Sequence, residues 1–162
     1  MEKSSTAKWE GKVTSSLTKA SADQIWPLFI DFFNLHKWFP GMSACNGIHG
    51  VNGEVGCIRH CVGFPFKNSV GKDCWAKARL VAVDPNEMSL SYDIIESNFG
   101  FNSYVSTVKV IGSGAEGCVV EWSFTIDPVE WTTYEYMVGM YQDILDKMTN
   151  KMEVGLVEKK AL

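Results

Sequence analysis

No stretch of the 162-residue chain approaches the ~18 consecutive apolar residues of a membrane-spanning helix. The first residues, Met1-Glu2-Lys3-Ser4-Ser5-Thr6, are polar and lack the apolar segment of a secretory signal. The number of cysteines is odd, five in all, which argues against a fully paired disulfide framework. Free thiols in a reducing, cytoplasmic setting are the expectation. Basic charge is also short: 15 Lys and Arg stand against 19 Asp and Glu, a net −4, so no footprint for nucleic acid is present.

Metal and phosphate signatures are missing as well. The three histidines, His36, His49 and His60, have no ligand spacing with one another. Cys57 and Cys61 lie four apart on one predicted strand, roughly 13 Å by strand rise, too far to share an ion. The run Gly112-Ser113-Gly114 followed by Gly117 joins two predicted strands instead of opening a helix, so it reads as a turn and not a phosphate loop. No Gly-x-Ser-x-Gly nucleophile elbow occurs. No metal and no cofactor is expected.

What the chain does have is apolar and aromatic surface. Hydrophobic residues make up 46%, charged residues 21% and aromatics 12%, with six Trp and nine Phe. These are globular values for one domain over residues 1–162, with an ordered core of about 8–158 and frayed ends. The aromatic content exceeds what a core of this size requires, and a cavity wall is one place to use it.

The order of elements is set by periodicity. Trp9 to Leu17 alternate as a strand. Ser21 and Gln24 form a capping box ahead of a short helix carrying Ile25, Trp26, Leu28, Phe29 and Ile30. A second short helix, about Phe33 to Trp38, stops before Pro40. Six strands come next, at about 43–50, 55–63, 72–83, 88–97, 103–111 and 117–127, with short turns between them that imply an antiparallel meander. From Asp127 to about Val157, apolar residues at Trp131, Tyr134, Val138, Tyr141, Leu145, Met148 and Met152 step 3-4-3-4 along one helical face. The fold class is α+β: a seven-stranded antiparallel sheet wrapped around a long C-terminal helix, with two short helices after the first strand.

Side chains alternate across a strand, so parity sorts inner wall from solvent. The inner sets are Cys74, Ala76, Ala78, Leu80 and Ala82; Met88, Leu90, Tyr92 and Ile94; Tyr104, Ser106, Val108 and Val110; and Val120, Trp122, Phe124 and Ile126. Small inward residues leave room that close packing would fill, and Met137, Met140, Met148 and Met152 suit a deformable wall. The same stripes also fit an ordinary core. Arg59 shares the parity of Val55, Cys57 and Cys61, the apolar face. There it either holds a polar or anionic ligand group in a hydrated cavity, or meets a carboxylate or an edge. Phe64-Pro65-Phe66 and the turn Phe99-Gly100-Phe101 form a hydrophobic lid at the cavity mouth, or simply pack.

The stretches Lys8-Trp9-Glu10-Gly11-Lys12-Val13, His36-Lys37-Trp38-Phe39-Pro40, Gly56-Cys57-Ile58-Arg59, Trp75-Ala76-Lys77, Leu80-Val81-Ala82-Val83-Asp84 and Trp122-Ser123-Phe124 resemble the onion lachrymatory factor synthase family. That family belongs to the START-like, birch-pollen-allergen (polyketide cyclase/dehydrase and lipid transport) superfamily, whose helix-grip fold has this order of elements. The resemblance implies a cavity in which a small sulfenic acid is rearranged, with Arg59, Tyr92 and Tyr104 at the synthase's Arg and Tyr positions. It also implies a Glu in the stretch that here reads Trp75-Ala76-Lys77-Ala78-Arg79-Leu80, so the carboxylate position is Ala78. Loss of an acid–base carboxylate typically costs ~10²–10⁴-fold in rate, so the synthase reaction is expected to be absent or very weak unless another group such as Glu96 replaces it. The abscisic-acid receptors share the superfamily, but their gate and latch loops match neither Gly63-Phe64-Pro65-Phe66-Lys67 nor Asn98-Phe99-Gly100-Phe101.

The expectation is a carrier or sensor of a small hydrophobic or amphipathic metabolite, with no membrane span and no nucleic-acid partner. Its walls are Leu90, Tyr92, Tyr104, Trp122, Phe124, Tyr134, Val138 and Tyr141 with Ala78, and its polar anchor is Arg59. The alternative is an enzyme that isomerises or cyclises a small ligand with Arg59, Tyr92 and Tyr104.

Overall fold

The computed structural model describes residues 7–68, 71, 73–114 and 116–161. The expected frayed start, residues 1–6, and Leu162 lie outside the described residues, as do Lys72, the expected first residue of a strand, and Ala115 in the expected Gly112–Gly117 turn. The elements are β1 (Trp9–Leu17), α1 (Ala22–Ile30), a 3₁₀ segment η1 (Phe32–Lys37), β2 (Ala44–His49), β3 (Ile58–Phe64), β4 (Cys74–Asp84), β5 (Ser89–Ser97), β6 (Val105–Ser113), β7 (Gly117–Ile126) and α2 (Tyr134–Ala161). The strands form one antiparallel sheet in the order β1-β7-β6-β5-β4-β3-β2. The helix-grip architecture is the one expected.

Local chemistry sets the boundaries. At α1 the Gln24 side chain turns back and accepts the Ser21 backbone N–H at 2.9 Å, satisfying a donor that the first helical turn leaves orphaned. The long helix starts seven residues later than Asp127, because Thr133 caps it: the Thr133 hydroxyl accepts the Tyr136 N–H at 3.2 Å and its carbonyl accepts the Met137 N–H at 3.0 Å. Trp131 therefore precedes the helix. The strand expected from Val55 begins at Ile58, since Gly53 and Gly56 hold positive φ in the intervening turn. Val55 is exposed in that turn and not on the inner face.

Parity fails at one further place. A register shift between Leu80 and Ala82 moves Ala82 to the exposed side, and Val83 packs against the core in its stead. A β-bulge adds one residue to one strand and re-aims the side chains beyond it. Of the remaining inner residues, Cys74, Ala76, Ala78, Leu80, Leu90, Tyr92, Tyr104, Ser106, Val108, Val110, Val120, Trp122, Phe124 and Ile126 are buried as alternation requires, and Met88 and Ile94 are half-buried against the core.

Another of the sheet's register shifts interrupts β3 between Val62 and Phe64. Gly63 sits there at φ +109°, and a Cβ would come within 2.7 Å of the Ser43 backbone N and 2.8 Å of the Gly41 carbonyl. Only glycine meets both the dihedral and the space. Gly63→Ala is expected to destabilise the fold by roughly 1–3 kcal/mol, read as a lowered midpoint in thermal unfolding followed by circular dichroism. An unchanged midpoint would contradict this placement of the bulge.

Candidate functional site

Between the sheet, α2 and the α1–η1 segment lies a cavity of about 60 Å³. It holds several water-sized groups but is small beside the ~300–1,000 Å³ of pockets for drug-sized ligands. Seven of the expected wall residues line it: Arg59, Ala78, Leu90, Tyr92, Tyr104, Trp122 and Tyr141. Met148 and Met152 of α2 line it too, whereas Met137 and Met140 do not.

Three expected wall residues stand outside the lining. Phe124 is buried behind it, with its ring 4.5 Å from that of Tyr141 and 6.4 Å from that of Tyr104, and so props both tyrosines. Gly11, paired with Phe124 across β1 and β7, makes room for that ring. Tyr134 lies in the first turn of α2, where it packs edge-on against Trp9 and its hydroxyl donates to the Glu10 carbonyl at 2.7 Å. Val138 is half-buried beside the core. The inward stripe of α2 at the cavity runs Tyr141, Leu145, Met148, Met152. Periodicity identifies the stripe, but not which of its turns faces the open space.

Sequence reasoning missed the contribution of α1 and η1. Leu28, Phe29, Phe32, Leu35, Trp38 and Phe39 close the side opposite the sheet. Phe32 matters most: the Arg59 Nη1 donates to its carbonyl at 3.1 Å and the guanidinium carbon lies 3.8 Å from its ring centre. A clamp fixes that carbonyl. Asp31 Oδ1 accepts from both Asn34 and Asn52 at 2.7 Å, and Asn52 Oδ1 accepts the Phe33 N–H at 2.9 Å. The signal in the sequence was the polar trio Asp31, Asn34 and Asn52 flanking an otherwise apolar segment.

Arg59 is 6% exposed and forms no ion pair among the described residues. Directly across the β3–β4 ladder from it stands Ala78. Glu96, expected as a possible carboxylate replacement, points away and pairs with Lys77 at 2.9 Å on the exposed face. The guanidinium is held by one carbonyl and by the faces of Phe32 and Tyr92, the latter 5.1 Å away.

The remaining polar groups form a short network. Trp122 Nε1 donates to the Ser106 hydroxyl at 2.7 Å and to the Tyr92 hydroxyl at 3.2 Å, while Ser106 donates onward to the Ser123 carbonyl. Tyr92 thus accepts, and its own proton has no acceptor among the described residues. Tyr104 and Tyr141 share a hydroxyl–hydroxyl bond of 2.6 Å, so one of these protons also has no hydrogen-bond acceptor among the described residues. Burial, with the neighbouring tyrosines, holds the Tyr104 and Tyr141 phenols well above the ordinary range. Both remain neutral donors.

The expected lid residues cluster. Phe64, Phe66, Phe99 and Phe101 lie with ring centres 4.7–5.7 Å apart for the neighbouring pairs, and Trp131 covers Phe66 while donating to the Phe99 carbonyl at 2.7 Å. Phe64, Phe66 and Phe101 reach the cavity, Phe99 sits behind them, and Pro65 is exposed at the tip. Among the described residues no group of three metal-ligating side chains occurs, and no helix is long and apolar enough to cross a membrane.

The raised phenol values set a pH dependence. Groups whose proton is held more tightly when folded add stability below the unfolded tyrosine range near 10, and that stability is lost as pH climbs beyond it. In an ultraviolet phenolate titration, at least two of the five tyrosines are expected to ionise only together with the loss of the circular-dichroism signal. Ionisation of all five in the folded protein would contradict the burial of the Tyr104–Tyr141 pair.

Comparison with solved structures agrees with the fold. Ginseng major latex-like protein 151 from Panax ginseng superposes with a TM-score of 0.70 at 22% identity, over 91% of this chain and 97% of that one. Norcoclaurine synthase from Thalictrum flavum, solved with dopamine and hydroxybenzaldehyde, gives a TM-score of 0.64 at 21% identity, over 94% and 89% of the two chains. The XoxI protein of Bacillus cereus gives 0.69 at 22% identity, over 93% and 98%. At these identities the likeness is one of fold. The family model described as polyketide cyclase / dehydrase and lipid transport matches residues 10–153, and the chain belongs to that family.

Proposed function

We propose that the protein binds a small hydrophobic or amphipathic molecule in this cavity, with a hydrogen-bond acceptor or anionic group of the ligand seated on Arg59. The observation that carries the reading is a buried guanidinium with no carboxylate partner among the described residues, lining a largely apolar cavity. An isolated buried charge costs several kcal/mol, and a ligand acceptor offsets that cost. The other unspent groups point the same way: the Tyr92 proton and one of the Tyr104/Tyr141 protons are donors. These donors favour an acceptor such as a carboxylate, a phosphate, a carbonyl or a sulfoxide oxygen, while the Asp31 carboxylate stands elsewhere on the lining. The present volume suits a ligand of a few heavy atoms. Larger ligands require Met148, Met152 and the Phe66 side of the lid to move, and thioether side chains adapt to such changes more readily than branched ones.

Arg59→Met separates this role from a structural one. Replacing an unpaired buried charge with an apolar group of similar length is neutral or stabilising in many proteins. The variant is expected to melt at the same temperature as the parent or higher, and to bind an anionic ligand ~10–150-fold more weakly, the worth of a charge-assisted hydrogen bond. Thermal shift and calorimetry against a panel of small carboxylates and sulfoxides measure both. A variant that loses more than about 2 kcal/mol of stability while keeping its affinity would make Arg59 structural.

A second reading rests on the Arg59–Ala78 register pair. Ala78 is the position at which the resemblance implies a Glu, and a carboxylate there would face Arg59 across the ladder as an acid–base partner. Ala78→Glu is then expected to give measurable turnover of a sulfenic acid generated in situ, and to abolish binding of anionic ligands by neutralising Arg59. A folded variant that turns over nothing and still binds anions would eliminate this reading.

A further inference from the structure

Cys45 on β2 and Cys61 on β3 are register partners, both buried and both free thiols, and their sulfurs lie 2.6 Å apart. Directly paired residues of antiparallel strands hold their Cα atoms about 4.5–5.5 Å apart, inside the ~4.4–6.8 Å that a disulfide spans. Closing the sulfurs to a bond of about 2.05 Å needs roughly 0.5 Å of side-chain movement and no rearrangement of the ladder. Cys57, Cys74 and Cys118 have no cysteine partner among the described residues.

The two thiols are not equivalent. The two thiols share a hydrogen bond. That bond, together with Arg59 on β3, the Leu35 backbone and His36 on η1, holds Cys45 below the ordinary thiol range, while the same bond and burial push Cys61 up. Cys45 is 8% exposed and Cys61 1%. β2 is an edge strand of the sheet, the kind of element that opens locally at low cost. The pair thus has an outer attacking sulfur and an inner resolving one.

We propose that Cys45 and Cys61 form a redox-active dithiol that takes a hydroperoxide as oxidant and closes a reversible disulfide across β2 and β3. The Cys45 thiolate attacks the terminal peroxide oxygen, the O–O bond breaks, and the protonated leaving oxygen departs as water or alcohol, leaving a sulfenic acid. The Cys61 sulfur then attacks the Cys45 sulfur, the S–O bond breaks, and the hydroxyl leaves as water with the Cys61 proton. Two electrons pass from the dithiol to the peroxide, and an external dithiol returns them by thiol–disulfide exchange. The step is independent of what the cavity binds.

Peptide mapping of the unsubstituted protein after hydrogen peroxide treatment and alkylation tests it without any variant. The expected result is a Cys45–Cys61 cross-linked peptide, an intact mass lower by two hydrogens, reversal by dithiothreitol, and an unfolding midpoint raised by roughly 5–10 °C. In Cys61→Ser, Cys45 is expected to stop at the sulfenic acid and be trapped by dimedone, and in Cys45→Ser neither product forms. Cross-links confined to other cysteines, or oxidation of Cys45 to the sulfinic acid with no disulfide in the unsubstituted protein, would overturn the proposal.

Discussion

The charge of Arg59 is the constraint around which the site is organised. A guanidinium 6% exposed on the inner face of a sheet must be compensated, and the described residues do so without an acid. Phe32 offers its carbonyl and its ring, Tyr92 its ring, and a polar clamp of Asp31, Asn34 and Asn52 fixes the segment from which Phe32 projects. Cation–π contacts contribute on the order of 0.5–2 kcal/mol each, well short of the hydration that burial removes. The remainder of the demand is directed into the cavity. The donors of Tyr92 and of the Tyr104–Tyr141 pair line the same cavity, inside an aromatic shell.

The shell is built by two kinds of packing. From the sheet, small residues at Ala76 and Ala78 leave space beneath larger ones at Leu90, Tyr92 and Trp122. From the other side, α2 supplies Tyr141 stacked on Trp122 at 4.3 Å and then two methionines, while the phenylalanine cluster around Phe66 closes the end. Rigid aromatic rings and adaptable thioether side chains thus line one cavity. Such an arrangement fixes the orientation of a ligand's polar group while leaving the extent of its apolar part open.

The architecture was legible from residues because its signals are local. The Ser21/Gln24 box, the alternation of β7 and the 3-4 stripe of α2 each specify an element by themselves. Boundaries moved where a hydrogen bond or a glycine intervened, as at Thr133 and at Gly53–Gly56. The inner position of Arg59 came from parity alone, and Ala78 opposite it from the resemblance and the ladder together. What parity does not contain is the third dimension of the cavity. The bulge after Leu80 turned Ala82 outward, and the α1–η1 residues entered the wall through a fold-back that no period encodes. Tyr134 and Val138 lie on the expected stripe, yet the open space does not extend to them. The Cys45–Cys61 contact depends on the β2–β3 register, which the turn at 51–56 determines and strand alternation does not.

Native mass spectrometry of the purified protein, followed by denaturing release and identification of the molecules that dissociate, tests the central claim most directly. Cavity binding through Arg59 predicts a small molecule at one per chain that carries an acceptor or anionic group, and its absence from Arg59→Met. A clean apo mass for the parent protein, with no thermal shift from small carboxylates or sulfoxides, would contradict the claim and leave the cavity a packing defect around a structural arginine.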